Sequence, residues 1–189
     1  LLREARRQKN IPEGKIPTIC ILDPDGDIVR SLVAKKMAKE NPYWACYHTT
    51  LYTFEYSGIE FGIIGCAVGA SFAVLLAEEL FVSGCKLLIS VTSSGLILPN
   101  QKPPFFVLIE RALRDEGTSY HYLPPSDYAY LNKELSAVLD SAFSDLPIPV
   151  NKGATWTTDA PFRETDAAIK QAQSQGILAV EMEAPALYA

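Results

Sequence analysis

Two carboxylates stand either side of one methionine near the end of the sequence: Glu181 and Glu183 in GILAVEMEAPALYA, directly after an apolar run from Ile177 to Val180. A carboxylate at the end of a buried strand needs partners, because an unpaired charge is costly to desolvate. It is also a group that accepts hydrogen bonds from vicinal hydroxyls, which suits a sugar. Alternation along a strand places both carboxylates on one side, provided the strand persists that far. A plainer reading, an acidic residue in the first turn of a helix, fits Glu183 well and Glu181 less well.

Three other stretches carry groups of chemical interest. Pro24-Asp25-Gly26-Asp27 is followed by Arg30. Gly26 lets backbone approach a ligand, and Arg30 offers charge-assisted hydrogen bonds to an anion; taken alone, a plain turn with a surface arginine is the stronger reading of the same residues. Thr92-Ser93-Ser94-Gly95 follows an apolar run. Its hydroxyl and backbone N–H groups form either a neutral cradle for an anion or sugar, or a polar turn. Residues 154–164, ATWTTDAPFRE, combine aromatics with Asp159 and an Arg163-Glu164 pair. Aromatics suit stacking on a flat ring and the charged groups its polar edge; core aromatics beside a surface ion pair are the alternative.

The elements that must position these groups read as one α/β domain. The 189 residues suffice for a substantial core. Their 48% hydrophobic and 21% charged content is that of an ordinary globular protein. Net charge is −5, from 17 basic and 22 acidic residues. Five basic and two acidic side chains in the first fifteen residues read as a solvated helix, with no interleaved aromatics to suggest a nucleic-acid surface. No apolar run reaches the roughly 18 residues of a membrane span, and no signal peptide is visible. Cys20, Cys46, Cys66 and Cys85 are dispersed and read as reduced core residues of a cytoplasmic protein. His48 and His121 lack a second ligand at metal spacing, so no metal is expected. A sequence that starts at Leu1 and stops in the first turn of a helix leads us to expect a chain truncated at its C-terminus and cut at both ends.

Strands are expected over 16–22, 47–56, 59–66, 86–91, 104–113, 148–159 and 177–182, with turns at 23–27 and Ser57-Gly58. Helices are expected over 28–41, stopped by Asn41-Pro42, and over 71–83, which is apolar nearly all round and should be well covered. A third begins near the PPSD stretch, with Leu131, Leu135, Val138, Leu139 and Ala142 on one face, and a fourth spans 164–175 before Gly176. The alternation gives a three-layer αβα architecture around a central mixed β-sheet. No G-x-G-x-x-G follows the first strand, which argues against a dinucleotide-binding dehydrogenase.

VEMEAPALYA resembles the V-E-M-E-A-A-x-x-Y signature of the nucleoside phosphorylase family that includes hexameric purine nucleoside phosphorylase and uridine phosphorylase. DPDGDIVR resembles its P-G-D-P-x-R phosphate loop, GCAVGASFAVLLAEEL its G-x-G-x-x-S helix start, and SVTSSGLI its R-V-G-[ST]-x-G strand. RALRDEGTSYHYLP is similar to a segment of uridine phosphorylases. The likeness runs from about residue 16 to 189. The last motif is specific; the others gain weight from their shared order.

The resemblance implies an enzyme that splits the N-glycosidic bond of a purine or pyrimidine nucleoside with phosphate. Gly26, Arg30 and Ser93 would bind phosphate; Met182, Glu183 and Glu181 would line the ribose; Asp159, Phe162 and Arg163 would border the base. Inorganic phosphate is the co-substrate and no cofactor is implied. A homo-oligomer, dimer to hexamer, with shared active sites is implied, and His48 or another residue of 44–50 is the candidate for a neighbour's contribution. The general acid is expected beyond Ala189. Ser90 stands where phosphorylases of this family carry a phosphate-binding Arg, Thr92 replaces a Gly and Pro185 an Ala. Ser90 keeps two alternatives open: a nucleosidase of the same fold that uses water, and a non-catalytic nucleoside-binding protein.

Overall fold

The computed structural model describes residues 2–99, 101–139, 142–143 and 145–189. The chain divides into two compact units, Leu1–Ser93 and Ser94–Ala189. Each is mixed α/β and contains a five-stranded mixed sheet.

In the first unit, helix α1 (Leu2–Lys9) precedes strand β1 (Ile19–Asp23), helix α2 (Asp27–Ala34), and strands β2 (Ala38–Glu40), β3 (Tyr52–Tyr56) and β4 (Ile59–Gly65). Helix α3 (Ala70–Ser83) then leads to β5 (Leu87–Ser90). The sheet order is β2-β3-β4-β1-β5. Strand β1 lies between β4 and β5 and is parallel to both, with Leu22 opposite Ile64 and Ser90. A central parallel strand is covered on both faces, which is why ICILD is nearly all apolar. Ser57 and Gly58, at φ 51° and 77°, form a two-residue turn with both residues left-handed, which matches the twist of the β3–β4 hairpin.

Helix α2 is shorter than its sequence pattern suggests. It ends at Ala34, and the expected helical residues 38–40 form an edge strand instead. Lys36 is left-handed at φ 57°, its N–H bonds to Val33 O at 2.9 Å, and Met37 N–H bonds to Leu32 O at 2.9 Å. That is a Schellman ending made without glycine. Only Tyr52–Tyr56 of the expected 47–56 strand pairs in the sheet. Helix α3 buries Ala73, Leu76 and Leu80 but exposes Leu75, Phe81 and Val82, so its all-round apolarity does not mean all-round cover.

The second unit contains β6 (Gly95–Leu96), β7 (Phe106–Asp115), β8 (Tyr128–Tyr130), α4 (Lys133–Leu139), β9 (Val150–Thr158), α5 (Asp166–Ser174), β10 (Ala179–Glu181) and α6 (Ala184–Tyr188). Its order is β6-β10-β9-β7-β8, with β10, β9 and β7 parallel and antiparallel strands at both edges. Ile97, Ala154, Trp156, Ala172, Ile177 and Val180 form its core. PPSD leads into β8, not a helix; α4 starts later, where Asn132 Oδ1 accepts the N–H groups of Glu134 and Leu135. Leu135 and Val138 of α4 are exposed. Ala142 lies beyond the helix. Thr165 caps α5 through Ala168 N–H, and Pro185 occupies the first turn of α6, where its missing N–H costs nothing.

Candidate functional site

The first unit gathers its polar groups beyond the carboxyl ends of β4, β1 and β5, the usual place for a ligand in an α/β sheet. The turn after β1 is fixed by Asp23, which is buried. One of its carboxylate oxygens accepts Gly26 N–H at 3.1 Å and the other Val29 N–H at 2.9 Å. Its carbonyl accepts Gly26 N–H at 2.9 Å and Cys66 N–H at 3.0 Å, tying the β1 and β4 ends together. Gly26 is left-handed at φ 77°, and a Cβ there would lie 2.7 Å from Cys66 Sγ and 2.8 Å from Arg30 Nη1. The glycine is required by conformation and by space.

Arg30 is exposed one helical turn into α2. Its Nη2 donates to Asp25 O at 3.0 Å and pairs closely with Asp27 Oδ1. Its Nη1 lies 3.9 Å from Cys66 Sγ. The Asp27 carboxylate holds the Arg30 pKa above its ordinary value. Cys66 is exposed and left-handed at φ 60°, unlike the buried Cys20, Cys46 and Cys85, so it is not the core residue expected.

Ser93 enters the same cluster from the end of β5. Its N–H donates to Asp25 Oδ2 at 2.6 Å and its hydroxyl to Asp25 Oδ1 at 3.0 Å. The structure therefore brings Gly26, Arg30 and Ser93 together, and the link is a carboxylate. Asp25, Asp23 and Asp27 escaped sequence reasoning as contributors. The available signal was three acids within five residues around one glycine, dense for a plain turn. Ser90 is exposed at the end of β5, and His48 is exposed with its ring 6.4 Å from that of Tyr47.

In the second unit, β10 ends at Glu181, which is buried and fully engaged. Oε1 accepts the Thr155 hydroxyl at 3.1 Å and the Thr157 hydroxyl more closely. Oε2 accepts Glu183 N–H and Ala184 N–H, each at 2.7 Å. Burial raises the Glu181 pKa, against the lowering effect of these four donors. Glu183 is buried at the start of α6, off the strand, and its Oε2 accepts Met182 N–H at 3.3 Å. Met182 between them is half-buried. Tyr188, whose pKa is pushed up by burial and the Glu181 charge, donates to Ile109 O at 2.6 Å.

Asp159 follows β9, and its Oδ2 accepts Gly117 N–H at 2.9 Å. Phe162 and Arg163 sit in a single 3-10 turn, Pro161–Arg163, with Phe162 fully exposed. The aromatics of this stretch thus divide: Trp156 is core, with Nε1 donating to Asp115 at 3.0 Å, and Phe162 is surface.

Each unit is an α/β layer with polar and acidic side chains at its strand ends, so the chain is an α/β protein. The sequence matches the phosphorylase superfamily over residues 18–189, and the chain belongs to that family. It is 28% identical over 123 residues to a uridine phosphorylase of Thermococcus kodakarensis, covering 65% of this chain and 44% of that protein. It is 28% identical over 190 residues to a DeoD-type purine nucleoside phosphorylase of Bacillus velezensis, covering 95% and 78%. The fold is that of the uridine phosphorylase structure from Vibrio fischeri ES114, with a TM-score of 0.77, 22% identity and coverage of 92% and 72%. The chain spans about half the length of several curated relatives it matches, including 52%, 44% and 59% for three of them.

Proposed function

We propose that the protein is a nucleoside phosphorylase, cleaving the N-glycosidic bond of a purine or pyrimidine nucleoside to give free base and a (deoxy)ribose 1-phosphate. A phosphate oxygen bonds to the anomeric carbon as the C–N bond breaks. The bonding pair leaves with the base, which takes up the proton that phosphate gives up. The observation that carries this reading is the Ser93 pair of donors already holding two oxygens of an anion, beside Gly26 and Arg30. A phosphate presents oxygens to the same kind of donors.

Met182 and Glu183 are assigned to the ribose. Glu181, whose oxygens are taken internally, acts by fixing the backbone of Glu183. Asp159, Phe162 and Arg163 are assigned to the base edge. The exposed Phe162 ring supports that assignment. The family match through both units supports treating them as parts of one phosphorylase domain. We further infer a cytoplasmic homo-oligomer with shared active sites, His48 being the exposed donor to a neighbour, and no cofactor besides inorganic phosphate. Small nucleosides rather than nucleic acid suit a chain of net charge −5, and among the described residues no helix is long and apolar enough to cross a membrane.

A second reading, a nucleosidase using water, is favoured by Ser90 in place of a phosphate-binding arginine and by acids on the anion donors. Incubating the full chain with inosine, adenosine, uridine and thymidine, with and without phosphate, decides between them. Sugar 1-phosphate formed only with phosphate establishes the phosphorylase and identifies the base class. Free sugar at equal rates in both establishes the hydrolase.

A further inference from the structure

The anion donors of the first unit are engaged by the loop's own acids. Asp25 spans Ser93 with both carboxylate oxygens, at 2.6 and 3.0 Å, across 68 residues of sequence. Its carbonyl is held by Arg30 Nη2 at 3.0 Å. Asp27 pairs with the same Arg30 nitrogen. Asp25, Asp27 and Arg30 together carry one net negative charge.

Two features keep Asp25 in this pose. Strands β1 and β5 are in parallel register with Leu22 opposite Ser90, so the loops after them leave the sheet side by side. The buried Asp23 fixes the turn through Gly26 and Val29. The Asp25 carboxylate is thus directed at Ser93 by the fold. The Asp27–Arg30 pair differs: its partners are 81% and 61% exposed and adjacent on a helix turn, so an incoming anion exchanges with it at little cost.

We propose that Asp25 is the specificity-determining residue for the nucleophile: its carboxylate occupies the Ser93 donors in the free protein, and orthophosphate binds there only by displacing it. The proposal rests on the reading of this loop as the phosphate site. While Asp25 stays in place, an oxyanion meets two acids, one arginine and no free Ser93 donor. A neutral water meets no such repulsion. Once Asp25 swings away, Ser93 N–H, its hydroxyl and Arg30 all face the phosphate.

The test is direct titration of the full chain with inorganic phosphate, using wild type, Asp25→Asn and Asp25→Ala, followed by calorimetry. Asn keeps the size and removes the charge, so it reports the effect even where Ala unsettles the turn; thermal melts of both check folding. Phosphate should bind the variants about tenfold tighter or more, the scale of one lost charge-assisted contact of a competitor. Ser93→Ala added to Asp25→Asn should cancel most of that gain. Equal or weaker phosphate binding by a folded Asp25→Asn overturns the proposal, as does a gain in affinity that Ser93→Ala leaves intact. Product analysis separates this from the broader reading. If no nucleoside is cleaved by any form while Asp25→Asn still gains phosphate affinity, the enzymatic reading fails and only the competition of Asp25 with phosphate for the Ser93 donors stands. If nucleosides are cleaved with phosphate but Asp25→Asn changes neither affinity nor the ratio of sugar 1-phosphate to free sugar, the reverse holds.

Discussion

Glu183 is held in position by Glu181, whose Oε2 accepts its backbone N–H at 2.7 Å and the next N–H, of Ala184, at the same distance. The first carboxylate of the Glu-Met-Glu stretch thus works on the backbone at the start of α6, and under the proposed function the second is the one assigned to the sugar.

Replacing Glu181 with Ala strands two backbone N–H groups and two threonine hydroxyls in a buried place. A loss of about 2–4 kcal/mol is expected, read by denaturant unfolding. Glu181→Gln keeps the shape and should cost less. The two forms should also differ with pH. The folded-state pKa of Glu181 lies above its ordinary value of 4.5, because burial opposes the charge. The carboxyl's contribution is therefore fully present below pH 4.5 and is lost as pH rises through the raised value. Relative to wild type, the Gln variant should gain stability as pH rises over that window. A gap that stays constant would show that the four donors offset burial, and one that changes in the opposite direction that they outweigh it.

Asp23 is the anchor of the first unit's loop. Removing its side chain frees the N–H of Val29 in the first turn of α2 and loosens Gly26. Asp23→Ala should cost about 1–2 kcal/mol, as for a lost helix cap, and weaken phosphate binding as well. Asp23→Asn keeps one acceptor and should retain most of both. Melting curves and phosphate titration of the same samples read the two effects. An Ala variant that melts lower yet binds phosphate normally would detach Asp23 from the site.

Gly26→Ala places a methyl 2.7 Å from Cys66 Sγ and 2.8 Å from Arg30 Nη1 at a left-handed residue. The conformational part costs about 1 kcal/mol. The arginine moves aside, so phosphate affinity should fall while helix content by circular dichroism stays intact. Adding Cys66→Ala removes the sulfur contact and should restore part of the stability. No recovery would assign the whole cost to φ.

The strand–helix order and the chemical nature of the loops were legible because they are local: apolar runs and their flanking turn residues marked β1, α3, β9 and α5, and glycines marked turns. What escaped was decided at a distance. Lys36 ends α2 in a left-handed conformation that sequence usually assigns to glycine, so the apolar pattern runs on past the true end of the helix at Ala34. Asp25 meets Ser93 only because β5 pairs with β1, and Glu181 meets Thr155 and Thr157 only because β10 pairs with β9. A carboxylate that solvates backbone and one that awaits a ligand look alike in a sequence; the partners across the sheet distinguish them. The exposed Leu75, Phe81 and Val82 of α3 show the same limit, since composition does not say which side of a helix has a neighbour.

Arg30 gives the most direct kinetic test of the anion site. It is exposed and paired with Asp27, and its guanidinium is a cation at any working pH. Arg30→Ala should raise the apparent KM for phosphate roughly tenfold or more and leave the KM for nucleoside near its wild-type value. Arg30→Lys keeps a charge but not two donors at fixed separation, so it should fall between the two. Initial rates with phosphate varied at saturating nucleoside supply the numbers. Arg30 and Asp25 touch, so their effects should not add: removing Asp25 in the Ala variant should help phosphate less than in wild type, because the cation that gains from its departure has gone. A phosphate curve that Arg30→Ala leaves unchanged removes Arg30 from the site. If free sugar is also the product at equal rates with and without phosphate, the loop serves water rather than an anion.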